Sequence, residues 1–145
     1  MISKMNFNQI IKSNFKMLRI LPVLLLFSFI GWIIFQANIG SKNIFFDLVD
    51  LIPYGDKLGH FILYGTLSIL TTIAFNYKCC LIMSYRVPIG AILVLVIALV
   101  EEVSQIFLSN RTFDMIDISA DITGIIVFIW VFNKLKWANK LKVYS

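Results

Sequence analysis

The chain has 145 residues, of which 59% are hydrophobic and only 14% charged. A soluble domain of this length usually carries about 45–50% apolar and about 25% charged residues, so a soluble core of ordinary size cannot absorb this surplus. The net charge is +5, but the basic residues flank apolar runs instead of forming a patch, which argues against nucleic acid and for a membrane.

The N-terminus opens with lysines before a long apolar run. The run is too long for the core of a cleaved signal peptide and no Ala-x-Ala site follows it, so a retained first helix is expected. Residues 1–17 could lie as an amphipathic helix on the inner leaflet, although a plain basic N-terminus has the same composition. Four apolar segments follow in chain order, at about 18–37, 57–77, 87–108 and 115–132. Each has a length suited to a hydrocarbon core of about 30 Å, and none alternates as a barrel strand would. The expectation is therefore an all-α membrane protein, a single domain over 1–145, forming a bundle of four transmembrane helices.

Orientation follows from the basic residues. Lys4, Lys12, Lys16, Arg19, Lys78, Arg86, Lys134, Lys136, Lys140 and Lys142 fall near the termini and the loop between the second and third segments, whereas only Lys42, Lys57 and Arg111 fall elsewhere. The positive-inside rule then places both termini and the 78–86 loop in the cytoplasm. The acids segregate the other way: Asp47, Asp50, Asp56, Glu101, Glu102, Asp114, Asp117 and Asp121 all belong to the outer side. The adjacent Cys79 and Cys80 cannot easily bond to each other and are expected as free thiols at a helix end.

Three polar groups are expected to meet at the outer helix ends. In the first, Asp56, His60 and Tyr64 lie four residues apart along one helical face, with Asp56 suited to an N-cap after the Pro53-Tyr54-Gly55 turn. His60 is the only histidine and sits about one turn inside an apolar helix. In the second, Glu101 and Glu102 precede Gln105, and Glu102 lies about 9 Å below the outer end of its helix. Neighbouring residues diverge by about 100°, so the two glutamates are not expected to face the same spot: at least one must face the interior and find a partner, and the other is left to lie near a neighbouring helix or take up a proton. In the third, Asp114, Asp117, Asp121 and Gly124 fall on one stripe, with Asp114 as N-cap and Gly124 admitting a neighbouring helix. Arg111 stands at the mouth of the group, where it can pair with Glu102 or Asp117 or grip an anionic ligand.

Taken together, Asp56-Lys57, His60-Phe61 and Tyr64, then Glu102 and Gln105, then Arg111, Asp114 and Asp117, resemble the VanZ-like family of small bacterial membrane proteins. The resemblance covers about residues 20–133. It departs at Asp121, where the family often has Asn, and at Phe128, where a second small residue is common. It implies a place in the cell envelope and an association with resistance to teicoplanin, a lipid-tailed glycopeptide.

The leading expectation for function is an outward-facing binding site made of Asp56, Lys57, His60, Tyr64, Glu102, Gln105, Arg111, Asp114, Asp117 and Asp121. It would take an outer-leaflet lipid headgroup, a cell-wall precursor or a lipoglycopeptide antibiotic. The alternative is an intramembrane enzyme acting on a lipid-linked headgroup, with His60 as base and a buried Glu102 as acid. A carrier is disfavoured because the inner halves of the helices offer mainly Ser68, Thr71 and Thr72. No cofactor, metal or nucleic acid is expected. A hard divalent cation could sit among the carboxylates, but one histidine and no suitable cysteine make a poor zinc site. Membrane lipids are the expected partners, and so short a bundle could pair with a second copy.

Overall fold

The computed structural model describes residues 7–41, 44–109 and 111–142, of which 7–16, 44, 45, 50 and 136–142 are described as backbone only. Residues 1–6, 42, 43, 110 and 143–145, and with them Lys4 and Lys42 of the orientation argument, lie outside the described residues. Five helices and one hairpin follow in order: α1 (Phe7–Asn38), α2 (Ile44–Asp50), α3 (Gly55–Ala74), β1 (Cys79–Ile82), β2 (Tyr85–Pro88), α4 (Ile89–Gln105) and α5 (Met115–Lys142).

The expectation of four membrane-crossing helices needs correction. Among the described residues only two helices are long and apolar enough to cross a membrane, Met17–Asn38 within α1 and Met115–Leu135 within α5. The α4 helix has 17 residues and so extends about 26 Å, short of a core of about 30 Å. Its expected last turn is lost because residues 106 and 107 leave the helix in a turn. The α3 helix has 20 residues, but Asp56, Lys57 and His60 occupy its first two turns. Neither apolar span is hidden by the chain itself: 6% of the first window and 22% of the second are buried.

The expected boundaries also miss two elements. After α3 the chain turns back through Asn76 and Tyr77, both at positive φ, with Tyr77 N–H bonded to Thr72 O at 2.9 Å. That closes the helix as a Schellman motif, in which asparagine tolerates the left-handed position. The following β1 and β2 pair antiparallel in the register Ile82↔Tyr85 and Cys79↔Pro88. Met83 and Ser84, both at positive φ, make the two-residue turn that matches strand twist. Cys79 and Cys80 are free thiols, as expected, but they lie on a strand and not at a helix end. The short α2 was not legible in the apolar pattern.

The α3 helix is the centre of the bundle and packs on α1, α2, α4 and α5. Leu67, Val94, Ala98, Ile30 and Ile125 form the middle of the core. Backbones approach closely at two places. A Cβ on Gly124 of α5 would stand 2.3 Å from Phe61 O of α3, and one on Gly90 of α4 would stand 2.5 Å from Thr72 N. Phe128, the departure from a small residue, lies over Gly65 and meets Phe61 edge-on at 5.6 Å, so glycine on α3 supplies the room that α5 lacks.

Charge is sorted by end. At the end holding Asn76 and the hairpin, Arg19 of α1 bonds the Asn76 side chain and Tyr77 stacks on Phe132 of α5. Six of the eight acids gather at the other end, where α3 and α5 begin and α4 finishes.

Candidate functional site

The start of α3 is fixed by a turn. Tyr54 adopts the left-handed conformation (φ 58°) and caps α3 without any side-chain bond, so Asp56 is not the N-cap that its position suggested. Gly55 is required there because a Cβ would collide with Val49 O at 2.1 Å. This turn delivers Lys57 to the centre of a carboxylate ring. Its Nζ lies 2.8 Å from Asp56, 2.6 Å from Asp114 and 2.7 Å from Asp117. Burial alone would lower the Lys57 pKa, but the hydrogen bonds to Asp114, Asp117 and Asp56 outweigh it and hold the ammonium well above its ordinary value. The Lys57 bond in turn lowers the pKa of Asp114, helped by the Ile116 N–H.

Asp114 is the N-cap of α5, as its position suggested: its Oδ1 accepts Ile116 N–H at 2.8 Å. One turn into α5, Asp117 faces Lys57, and a turn deeper Asp121 accepts or shares a proton with His60 Nδ1 at 3.1 Å, according to the ring tautomer. Asp121 is 1% exposed. His60 stacks on Tyr64 below it, at 5.9 Å between ring centres.

In the α4 group at least one glutamate was expected inside, and both are buried: the Gln105 amide reaches both, Glu101 Oε1 at 2.7 Å and Glu102 Oε2 at 3.2 Å. Glu102 Oε1 accepts Asp114 N–H at 2.6 Å and so ties the end of α4 to the start of α5. Arg111 pairs with neither Glu102 nor Asp117. Its Nε donates to Gln105 Oε1 at 3.3 Å, and its Nη2 stands 3.8 Å from Glu101 Oε1.

These groups form one wall of a cavity of about 500 Å³. Asp56, Lys57, His60, Tyr64, Gln105, Arg111, Asp114 and Asp117 line it, whereas Glu102 and Asp121 stand behind that wall as supports. The facing wall is apolar and comes from Phe29, Ile30, Ile33 and Ile34 of α1 with Phe46 and Val49 of α2. Sequence reasoning left out Glu101 and Thr112, which line the cavity, and all of the apolar wall. The four-residue spacing of Glu101 to Gln105 was a signal for the former; nothing local marks which face of α1 turns inward. The carboxylate hydrogen-bonded to His60 is Asp121, and Glu102 Oε1 is held by Asp114 N–H. Among the described residues, no three His, Cys, Asp or Glu side chains are grouped to hold a metal ion. No family model, curated protein or solved structure matches the chain.

Proposed function

We propose that this chain is a VanZ-like protein of the bacterial cytoplasmic membrane, with both termini inside, that holds the head of a lipid-tailed molecule at the outer face. One crossing by α1 and one by α5 return the chain to its starting side, which agrees with the basic residues at both termini. The acidic end of the bundle is then the outer end.

The observation that carries the reading is the two-faced cavity: charged and hydroxyl groups of α3, α4 and the 111–114 segment oppose an apolar wall from α1 and α2. Few polar groups converging in an otherwise apolar concavity are the usual form of a ligand site. An envelope lipid, a cell-wall precursor and a lipoglycopeptide share the required pattern of a polar head on an apolar tail. The Ile33→Trp variant tests it by filling the apolar side while leaving every charge in place. Lipids with photoactivatable tails should crosslink to wild type and not to a folded Ile33→Trp protein; equal crosslinking would refute the site. A change in teicoplanin susceptibility on loss of the wild-type protein, absent from the Ile33→Trp strain, would extend the role to that antibiotic.

A further inference from the structure

We infer that the cavity selects a headgroup carrying both a phosphate and a primary amine, with the phosphate on Arg111 and the amine between Glu101 and Tyr64. The inference rests on the reading of the cavity as a headgroup site.

Among the described residues two cations of fixed charge line the cavity, and they differ in what they can offer. Lys57 has three donors and three carboxylates at 2.6–2.8 Å, so it is committed to the fold. Among the described residues the Arg111 side chain donates a hydrogen bond through Nε alone, and its nearest carboxylate oxygen is 3.8 Å away. Its terminal N–H groups therefore face the cavity as an open fork, suited to a phosphate.

Beside the fork are acceptors with no donor. The Glu101 side chain is 8% exposed, and its Oε2 has no hydrogen-bond partner among the described residues. The hydroxyl of Tyr64, a residue 3% exposed, has none either. Both line the same cavity as Arg111. Buried polar atoms are seldom left without partners, and a ligand N–H would supply one. A purely anionic head would meet Arg111 but set its charge against Glu101, Asp114 and Asp117. A purely cationic head would satisfy Glu101 and repel Arg111. Opposite charges on neighbouring groups of one ligand answer both. A quaternary amine would keep the charge but has no N–H to give, so it should be rejected, as sites built for hydrogen bonding reject analogues that lack the donor.

Such a head occurs on phosphatidylethanolamine and as free phosphoethanolamine; the apolar α1 wall selects the lipid. The full chain, reconstituted in nanodiscs of mixed phosphatidylethanolamine, phosphatidylglycerol and phosphatidylcholine, would be ejected for native mass spectrometry and its retained lipid identified. Phosphatidylethanolamine should be enriched about tenfold over each of the others, a difference of about 1.4 kcal/mol. Arg111→Ala should abolish the enrichment. Tyr64→Phe should reduce it severalfold without lowering stability, because the hydroxyl it removes bonds none of the described residues. Equal retention of phosphatidylglycerol or phosphatidylcholine, or unchanged enrichment in Tyr64→Phe, would overturn the inference and leave the headgroup site standing. Loss of all lipid retention by the wild-type protein would overturn both. Displacement of the lipid by equimolar soluble phosphoethanolamine would overturn the lipid as the source.

Discussion

Replacing Gly124 by alanine tests how the site is held together. The new Cβ would lie 2.3 Å from Phe61 O and 3.0 Å from its carbonyl carbon, whereas ordinary contact begins near 3.4 Å. Those atoms belong to helix backbone and cannot rotate aside, so α3 and α5 must part by about 1 Å. Overpacking of this kind costs about 1–3 kcal/mol, against about 1 kcal/mol gained in helix propensity over glycine. With a backbone neighbour the cost belongs at the upper end, for a net loss of about 1–2 kcal/mol, or roughly 5 °C in melting temperature. The same movement would stretch the 3.1 Å His60–Asp121 contact beyond hydrogen-bond range, one turn from the glycine. Gly59→Ala is the matched control, since a Cβ there meets nothing within 4 Å. Thermal denaturation in detergent should separate the two variants in that direction. A Gly124→Ala protein that melts with or above Gly59→Ala would refute the close packing of α3 on α5.

Other outcomes follow from the supports around the cavity. Glu102→Ala strips the acceptor from Asp114 N–H and should destabilise by about 1–3 kcal/mol, whereas Glu102→Gln keeps a carbonyl oxygen there and should cost less; equal losses in the two would mean the bond contributes nothing. Asp114 has a lowered pKa, so its pair with Lys57 contributes stability above the unfolded value of about 4 and is lost as pH falls through the lower folded value. Melting temperature should therefore drop below about pH 4, and Asp114→Asn should flatten that limb; an unchanged limb would contradict the pairing. Leu51→Cys, exposed at the acidic end, should react with an impermeant maleimide in intact cells. Protection of that cysteine until the cells are opened would reverse the orientation.

Much of the site was legible because helical spacing is a local property. Asp56, His60 and Tyr64 share a face of α3, and Asp114, Asp117 and Asp121 share a stripe of α5, wherever those helices pack. The partners were less legible. Backbone geometry required only one of the two adjacent glutamates to turn inward; both are buried because a single Gln105 amide bridges them. Arg111 was expected on Glu102 or Asp117, yet Lys57 already neutralises Asp117 and the Asp114 backbone holds Glu102. The apolar runs likewise overstated the number of crossing helices. Apolar content passes over the charged first turns of α3 and the early end of α4 at Gln105, and the loop between them gave no sign of the hairpin that the positive-φ pair Met83 and Ser84 turns. The role of α1 was hidden for the opposite reason: its apolar residues surround the helix, so no stripe marks Ile30, Ile33 and Ile34 as the cavity wall.

The central claim is that Arg111 holds the polar head of a lipid-tailed molecule rather than bracing the fold. Among the described residues its side chain makes one long hydrogen bond, 3.3 Å to Gln105, and one loose ion pair, 3.8 Å to Glu101, so its removal should leave the bundle intact. The direct measurement is native mass spectrometry of the wild-type and Arg111→Ala proteins purified side by side from membranes, with melting temperature recorded for each. The account requires a lipid-linked molecule retained by wild type and missing from an equally stable Arg111→Ala protein. Retention of the same molecule at the same occupancy by both proteins would contradict it.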